Sequence, residues 1–498
     1  MSAQTYPQAV STPGPQDATS LSSRRGVAIL ILLCLVQFMD VLDASILNIA
    51  LPSIKRDLGF SQEGLQWVVN GYILTYGGFL LLGGRVADLL GRRRILVTGL
   101  VVFAGASLTG GLAHSESLLI AARFVQGMGA AMLSPAALSS LTTIFRSGRE
   151  RNTALGAWAA VSGLGGAVGV LFGGLLTEGP GWRWVLWVNV PFAAIALAGA
   201  FLLLQKERGT ARLRNFDALG AVLVTGGMLL LVFSLVKAPD VGWGAARTIG
   251  GLALAGAMLT AFVVNELRVR NPLVPMTILR VKGVAVADAT MLVTAAGFLP
   301  MFFFLTLYMQ TVLDYSPIQT GLAYLPLTGG FIIASTISSQ LFARVGTKPV
   351  IVVGAVIASA GLYWLSRIPV DGSYVSDILP GMVVASIGLG GVFVGATTAA
   401  NAGISTDKAG LAAGLLNTGT QLGGALGLAI FSALATERTS SVLRGGRSTV
   451  TDAATQGYQL ALLVGAIFVL AAGAVALMAG NRRQPAAIED EPALDLAA

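Results

Sequence analysis

Long apolar runs recur along the whole chain, and short connections rich in Gly, Pro and charged residues separate them. Each run has about 20 residues, enough for an α-helix to cross a hydrocarbon core about 30 Å thick. Hydropathy and the interrupting residues predict fourteen transmembrane helices. The predicted spans are residues 27–50, 66–86, 95–113, 117–141, 152–176, 184–204, 217–237, 248–266, 284–312, 320–343, 349–366, 377–400, 411–435 and 458–480. The pattern therefore predicts an all-α membrane protein that crosses the bilayer many times.

The composition agrees with this prediction. Of the 498 residues, 54% are hydrophobic and only 11% are charged, whereas roughly 25% of an ordinary soluble domain is charged. The net charge is +8, but Lys and Arg are scattered among short connections and form no single basic patch. Scattered charges of this kind do not indicate nucleic-acid binding. We therefore expect the protein to lie in the lipid bilayer and not to bind nucleic acid.

The distribution of positive charge predicts the orientation of the helices. If both termini lie on one side, twenty-one of the 32 Lys and Arg residues fall on that side and nine on the other. Cytoplasmic connections carry the excess of Lys and Arg. We therefore predict a multi-pass protein of the cell membrane with both termini in the cytoplasm. The tails are residues 1–26, expected to be disordered because they are rich in Pro, Ser and Gln, and residues 481–498.

The chain has one cysteine, Cys34, and one histidine, His114. This composition supplies no cluster of His and Cys metal ligands, and His114 stands alone between two apolar runs, where no Ser-His-Asp triad can be assembled. The connections are too short to hold a soluble signalling domain. We therefore expect no metal site and no cofactor, and the sequence argues against a membrane-embedded enzyme and against a sensor.

An internal repeat relates the two ends of the chain. The segment "LGGAVGV" at 164–170 returns as "LGGALGL" at 422–428, and Gly156 returns as Gly414 at the same offset. This offset aligns the sequence of the fifth predicted helix with that of the thirteenth. Convergent Gly-rich helix packing is the alternative explanation, but a shared offset with matching helix orientation favours duplication.

The repeat implies six-helix halves with two helices inserted between them. Duplicated halves that bind substrate between them are typical of alternating-access transporters. The predicted organisation is a first six-helix bundle at 27–204, an inserted two-helix hairpin at 217–266 and a second six-helix bundle at 284–480.

Three charged residues are predicted to lie at one depth in the membrane. At 1.5 Å per residue, Asp40 and Asp43 lie roughly 20 to 24 Å from the inner end of the first span, and Arg123 lies at about the same level in the fourth span. A charge in the membrane costs at least about 2.5 kcal/mol, so such residues find partners or a water-filled cavity. A carboxylate that alternates between a partnered and a protonated state is a proton carrier. The alternative is a static structural pair.

Eight segments carry distinctive motifs, and together they extend over most of residues 27–480. They are "LDASILNIALP" (42–52), "GRVADLLGRRR" (84–94), "LIAARFVQGMGAA" (119–131), "WRWVLWVNVP" (182–191), "FDALGAVL" (216–223), "NPLVPMTILR" (271–280), "LYMQTVLDYSPIQTGLAYLP" (307–326) and "AGLAAGLLNTGTQLGGALG" (409–427). The chain resembles the major facilitator superfamily, specifically its fourteen-helix drug:proton antiporters. This resemblance implies the major-facilitator fold and proton-coupled efflux of amphipathic drugs or antibiotics by alternating access.

The resemblance also implies roles for particular residues. It places the family's first-helix Asp at Asp43, which we predict to couple protons to transport together with Arg123, while Asp40 is an additional acid. The loop after the second span is predicted to be a cytoplasmic gate, although a plain topology anchor is the alternative. The predicted gate residues are Gly84, Asp88, Gly91, Arg92 and Arg93.

The fifth-helix antiporter motif departs from the family pattern at one position. Its glycines are present as Gly165, Gly169, Gly173 and Gly174, but Val170 stands where the family has Pro. Without Pro the helix keeps a backbone hydrogen bond and is expected to kink less. This departure keeps open a second function, a facilitator or exporter of a single endogenous metabolite or lipid without strict proton antiport.

The first helix of the second half and the thirteenth span supply candidates for substrate binding. Aromatic surfaces accept apolar ligands and cations, although such residues more often face lipid or pack the bundle, and intramembrane polar groups tend to face the interior. The candidates are Phe303, Phe304, Tyr308, Gln310, Asn417, Gln421 and Asp288. We expect a small amphipathic molecule and protons as partners of a monomeric protein.

Overall fold

The computed structural model describes residues 20–145, 149–205, 217–269, 272–274, 278, 281, 283–401, 409–446 and 449–481. The longer elements of these residues are α-helices, with one π-helical turn at Tyr374–Ile378. The helices are α1 (Arg24–Leu58), α2 (Gln62–Leu90), α3 (Arg92–Gly111), α4 (Glu116–Ile144), α5 (Arg149–Glu178), α6 (Arg183–Trp187), α7 (Asn189–Leu203), α8 (Ala218–Val241), α9 (Ala246–Arg268), α10 (Val284–Thr311), α11 (Pro317–Ala323), α12 (Leu325–Val345), α13 (Thr347–Leu365), α14 (Leu379–Asn401), α15 (Ala409–Arg444) and α16 (Val450–Ala476).

The fourteen predicted spans each correspond to a helical segment. Thirteen segments among the described residues are long and apolar enough to cross a membrane, and α2, a helix of 29 residues, covers the remaining predicted span. Two spans are divided by a short break, which separates α6 from α7 and α11 from α12, and the π-helical turn leads into α14.

Several helices extend beyond the limits that hydropathy predicts. The predicted first span ends at residue 50, but α1 continues through Pro52 and ends at Leu58. The next residue, Gly59, caps the helix with a φ of 75°, a left-handed conformation that favours glycine. Its start is fixed by Ser23, whose side chain accepts a hydrogen bond from the Gly26 backbone N–H. Hydropathy detects only the part of a helix that lies in hydrocarbon, so helical turns that project into the interface are missed.

The two halves pack their first and fifth helices in the same way. In the first half, Gly165 and Gly169 of α5 lie against α1, where a Cβ on Gly169 would stand 2.7 Å from the Ser45 Cβ. In the second half, Gly423 and Gly427 of α15 lie against the backbone of α10. Small residues let membrane helices approach closely. The repeated sequence therefore corresponds to a repeated helix contact.

The halves meet along a seam with the same symmetry. Helix α2 packs against α15, α5 packs against α11 and α12, and α1 packs against α10. The second helix of the first half, α2, therefore packs against the fifth helix of the second half, α15. In the same way the fifth helix of the first half, α5, packs against the second helix of the second half, α11–α12, and the two first helices pack against each other. A large apolar core that includes residues of α1, α5, α10 and α11–α12 continues across this seam.

The inserted helices lie beside the seam. Helix α8 packs against both α2 and α15, and α9 packs against α8. A small apolar cluster joins these helices through Leu74 of α2, Met228 and Val232 of α8, and Ala425 and Ala429 of α15. Helix α9 is mostly exposed, as expected of a helix that faces lipid. The hairpin thus covers one side of the junction between the halves.

Candidate proton-coupling and substrate site

Two of the three charged residues predicted at one depth, Asp43 and Arg123, form a buried ion pair. Arg123 of α4 donates from Nη1 to Oδ2 of Asp43 on α1 at 2.7 Å. Asp43 is 0% exposed and Arg123 is 1% exposed. In a low-dielectric interior both charges need partners, because either one left alone carries a large desolvation cost.

Two amides complete the surroundings of the Asp43 carboxylate. Gln126 of α4 and Asn189 of α7 each donate from the side-chain nitrogen to Oδ1 of Asp43 at 2.7 Å. The second N–H of Gln126 is donated to the hydroxyl of Ser107 on α3 at 2.7 Å. Helices α1, α4 and α7 therefore meet at this carboxylate, α3 is joined to them through Gln126, and both carboxylate oxygens accept hydrogen bonds.

The guanidinium of Arg123 has further partners of its own. Its Nε donates to the Val68 carbonyl at 3.0 Å, and its Nη1 also donates to Oε1 of Gln126 at 2.6 Å. Its Cζ lies 4.3 Å from the centroid of the Tyr72 ring, a distance at which a cation is attracted to the ring face. These contacts hold Arg123 between α1 and α2.

Asp40 has a separate set of partners. The hydroxyl of Tyr72 donates to Oδ1 of Asp40 and the hydroxyl of Tyr76 donates to Oδ2, both at 2.7 Å. The Tyr76 hydroxyl also interacts with the side chains of Ser134 on α4 and Asn417 on α15. Asp40 therefore binds α1 to α2 and is linked through Tyr76 to the second half.

This arrangement can hold or release a proton at either carboxyl group. Each carboxylate accepts on both oxygens, so the ionised form is well supported by hydrogen bonds. Protonation removes one acceptor position and adds a donor, which rearranges the hydrogen bonds that join α1 to α2, α4 and α7. A change of charge at this point therefore changes the contacts between helices. No group of three or more His, Cys, Asp or Glu side chains suited to a metal occurs among the described residues.

The predicted gate loop is only partly described. The side chain of Asp88 lies outside the described residues. Gly91 ends α2 with a φ of 100°, a backbone conformation that favours glycine, and Arg92 begins α3. Arg93 donates to the carbonyl of Phe201 on α7 at 3.0 Å, a contact within the first half.

Gly84 of the same motif packs α2 against α4, where its Cβ would lie 3.4 Å from the Pro135 Cβ. These contacts fix the loop within its own half, and its role as a gate stays a prediction.

The fifth-helix motif has two faces with different partners. Gly165, Gly169 and Gly173 form a stripe that packs against α1 within the first half. Gly174 instead lies against Ile318 of α11 in the second half, where an added Cβ would stand 2.6 Å from the Ile318 Cα. Val170 is on this second face, and its carbonyl lies against Gly321 of α11.

Further contacts tighten the junction at this end of the bundle. Gln310 of α10 donates to the Ile49 carbonyl of α1 at 2.9 Å, and Glu178 of α5 accepts from the Ile318 backbone N–H at 3.1 Å. The sequence predicts that this end faces outward. The two halves are therefore in close contact at the predicted outer side.

The aromatic candidates for substrate binding are buried in the second half. Phe303, Phe304 and Tyr308 are each at most 1% exposed. The ring of Phe304 contacts the rings of Phe303 and Tyr458 of α16, and the Tyr308 hydroxyl donates to the Pro369 carbonyl. These contacts tie α10 to its own half, so the three side chains pack within the bundle in this conformation.

The polar candidates lie closer to the seam. Gln310 bridges the halves, Asn417 interacts with Tyr76, and Gln421 of α15 lies opposite Gly77 of α2. Asp288 of α10 has both carboxylate oxygens buried without a hydrogen-bond partner among the described residues. A carboxylate in this condition is a candidate for a proton or a cationic ligand.

Sequence reasoning missed four side chains of the site. Gln126 and Asn189 lie inside the motifs "LIAARFVQGMGAA" and "WRWVLWVNVP", and Tyr72 and Tyr76 lie four residues apart on the second predicted span. Polar groups within spans tend to face the interior, and residues four apart share a helix face. These signals were available, but they do not say which acid each group contacts.

Two similar halves of long apolar helices, with an ion pair buried among their polar side chains, define a multi-pass membrane transporter and not an enzyme. The chain belongs to the Major Facilitator Superfamily, whose family model matches residues 33–428. The family and fold that the sequence predicts are therefore confirmed.

Relatives cover most of the chain. It is 39% identical over 471 residues to a puromycin resistance protein of Streptomyces alboniger, with 92% of each chain covered. It is 42% identical over 407 residues to a cephamycin export protein of Amycolatopsis lactamdurans, with 80% of this chain and 83% of that one covered.

Solved structures show the same fold at low sequence identity. A POT family transporter has a TM-score of 0.65 at 14% identity, covering 90% of this chain and 97% of that one. A bacterial homologue of the human lysosomal transporter Spinster has a TM-score of 0.63 at 16% identity, covering 91% and 96%.

Proposed function

We propose that the protein exports amphipathic drugs or antibiotics across the cell membrane in exchange for protons, by alternating access between its two halves. The observation that carries this proposal is the buried contact of Asp43 with Arg123, Gln126 and Asn189. Its relatives include resistance and export proteins for puromycin and cephamycin, which supports an antibiotic as the transported compound.

In this mechanism Asp43 alternates between an ionised state paired with Arg123 and a protonated state. Ionised Asp43 holds α1 to α4 and α7 through three hydrogen bonds of 2.7 Å. Protonation weakens these bonds, because a neutral acid interacts less strongly with a guanidinium and with amide donors. The first half can then change its packing, and a two-state change in packing moves the halves relative to each other.

The proposed motion changes the contacts between the two halves. Contacts of Gly174 and Val170 with α11 close the predicted outer side, and these must separate when the substrate leaves. On the opposite side, the loop with Asp88, Gly91 and Arg92 is proposed to act as the cytoplasmic gate. The two six-helix halves, at 27–204 and 284–480, are proposed to move as rigid bodies while the hairpin at 217–266 covers the junction between them. Both termini are proposed to lie in the cytoplasm, and the protein is proposed to function as a monomer.

The direct test uses purified full-length protein in liposomes that contain a pH-sensitive dye. A drug gradient should drive proton movement, and an imposed pH gradient should drive uptake of the drug. Asp43→Asn and Arg123→Ala should abolish both. Proton-driven uptake that persists in Asp43→Asn would overturn the assignment of Asp43. The absence of any coupled proton movement in the unaltered protein would overturn antiport.

A second function is supported by one observation. Val170 keeps α5 a continuous helix of 30 residues without an internal proline, where the antiporter motif has Pro. A helix that kinks less favours a facilitator or exporter of one endogenous metabolite or lipid without strict antiport. Export that is insensitive to a protonophore would favour this second function, and full inhibition would exclude it.

A further inference from the structure

A polar cavity lies at one end of the second half, where α13 and α15 end and α16 begins. Its volume of about 530 Å³ falls within the range of about 300 to 1,000 Å³ that is typical of ligand pockets. Among the described residues that line it, two are arginines and none is an acid. The lining includes Arg367, Arg438, Gln456, Gln459, Leu460 and Leu463. The cavity is therefore positively charged.

The two arginines form no ion pair within the described part of the chain. Arg438 of α15 donates from Nη2 to Oε1 of Gln456 on α16 at 2.8 Å, and this partner is neutral. The Cζ of Arg367 lies 5.5 Å from the centroid of the Tyr363 ring, a distance at which a cation is attracted to the ring face. Two guanidinium groups that face one cavity repel each other, so an anion between them is attracted by both.

Two acids that lie close to these arginines have other partners. Glu437 precedes Arg438 in the sequence but accepts from Arg444 at 3.3 Å. Asp377 lines a second, smaller cavity of about 350 Å³ with Arg367. Its Oδ2 accepts from a backbone N–H at 2.7 Å and from a serine hydroxyl at 2.8 Å in its own turn. A ligand can therefore supply the negative charge that the first cavity lacks.

The polar part of the cavity is at the level of the lipid headgroups. Arg367 follows the predicted span 349–366, and Arg438 follows the predicted span 411–435, so both side chains begin just outside the hydrocarbon. Trp364 is 50% exposed beside them, and exposed aromatic residues are typical of the membrane interface. The charge distribution predicts that this end of the spans faces outward. The arginines therefore face the headgroups of the predicted outer leaflet.

The apolar part of the cavity continues into the hydrocarbon. Leu460 and Leu463 lie within the last predicted span, 458–480. Leu463, Ile467 and Leu470 are spaced by four and three residues, so they share one face of α16. Ile467 and Leu470 are 56% and 49% exposed. An acyl chain can lie along this row while its headgroup occupies the polar end of the cavity.

We propose that this cavity binds an anionic phospholipid of the outer leaflet, with Arg367 and Arg438 on its phosphate group and an acyl chain along α16. Guanidinium groups suit phosphate because they donate two parallel hydrogen bonds to it. Basic pockets between membrane helices bind anionic headgroups. The bound lipid joins the ends of α13, α15 and α16. The site is independent of the proposed export function, because binding is measured without transport.

Native mass spectrometry of purified, delipidated full-length protein tests the site directly. The protein is titrated with dioleoyl phosphatidylglycerol and, separately, with dioleoyl phosphatidylethanolamine. Both lipids carry a phosphate group, but only the first has a net negative charge. The unaltered protein should bind phosphatidylglycerol saturably and more tightly than phosphatidylethanolamine. The double variant Arg367→Gln with Arg438→Gln should weaken phosphatidylglycerol binding by about 10- to 100-fold, since it removes two charged donors.

The matched control is an arginine at the same end of α15. Arg444 is exposed, pairs with Glu437 and does not line the cavity, so Arg444→Gln should bind phosphatidylglycerol as tightly as the unaltered protein does. If the double variant fails to fold, the single variants Arg367→Gln and Arg438→Gln carry the test. Each should weaken binding by about 3- to 10-fold, and unchanged affinity in both overturns the proposal.

Other outcomes also overturn the proposal. One is equal affinity of the unaltered protein for the two lipids, and another is unchanged phosphatidylglycerol binding in the folded double variant. A loss in Arg444→Gln as large as in the double variant would show that the lipid responds only to surface charge. Inorganic phosphate separates the lipid from a free anion. If phosphate at the same concentration displaces phosphatidylglycerol, the ligand is a free anion and the lipid site is refuted.

Discussion

The substitution Asp43→Asn tests whether the contact between Asp43 and Arg123 is only a structural ion pair or whether Asp43 also couples protons to transport. In the structure, Oδ1 of Asp43 accepts from Gln126 and Asn189, and Oδ2 accepts from Arg123. An Asn whose carbonyl takes the position of Oδ1 keeps both amide contacts. Its NH2 then faces the guanidinium, so one donor faces another and Arg123 loses its counter-charge.

The expected loss of stability is large. Breaking a buried ion pair by removing one partner costs about 3 to 5 kcal/mol. In the double variant Asp43→Asn with Arg123→Met, the unpaired charge and the facing donors are both removed. The contacts of Arg123 with the Tyr72 ring, the Val68 carbonyl and the Gln126 amide oxygen are then missing, so the double variant should still lose about 1 to 2 kcal/mol relative to the unaltered protein.

The assay measures two quantities on each variant. The free energy of unfolding is obtained by denaturant titration of the purified protein, and pH-driven drug uptake is measured in liposomes. If Asp43 couples protons, the double variant regains most of the lost stability but no pH-driven uptake. If the pair is only structural, the double variant regains both. Recovery of pH-driven uptake, or an unchanged stability in Asp43→Asn alone, would refute the reasoning.

Two glycine substitutions test the packing. Gly169→Leu should destabilise the protein by about 1 to 3 kcal/mol, because a Cβ at this position would lie 2.7 Å from the Ser45 Cβ. Gly156→Leu is the control and should be tolerated, since nothing lies within 4 Å of a Cβ there. Equal free energies of unfolding in the two variants would contradict this prediction. Gly174→Leu should separate α5 from Ile318 and increase hydrogen exchange at the start of α11 while slowing transport, and unchanged exchange there would show that this contact does not close the outer side.

Much of the fold could be predicted from the sequence because the membrane acts locally on the chain. Each span must satisfy its own backbone hydrogen bonds in hydrocarbon, so a helix is required wherever the apolar run is long enough. The repeated glycines were also informative, since Gly165 and Gly169 correspond to Gly423 and Gly427 and make the same contact in each half. Helix ends were less predictable, as in α1, which continues through Pro52.

The candidate site could be predicted only in outline. Depth along the helices was enough to place Asp43 and Arg123 at one level, and the structure brings these two side chains together. Depth could not show that Asp40, only three residues away, faces Tyr72 and Tyr76 and has no ion pair among the described residues.

The sequence by itself determined that this protein is a membrane transporter of fourteen helices with acids and a base buried at one depth, because hydropathy, charge and motifs are properties of the chain. Only the tertiary structure decided which donors surround Asp43, which rings surround Asp40, and that Phe303 and Phe304 pack inside the second half. Those contacts depend on the neighbours of each helix and on its rotation about its own axis. Distant segments fix both, and no local pattern encodes them.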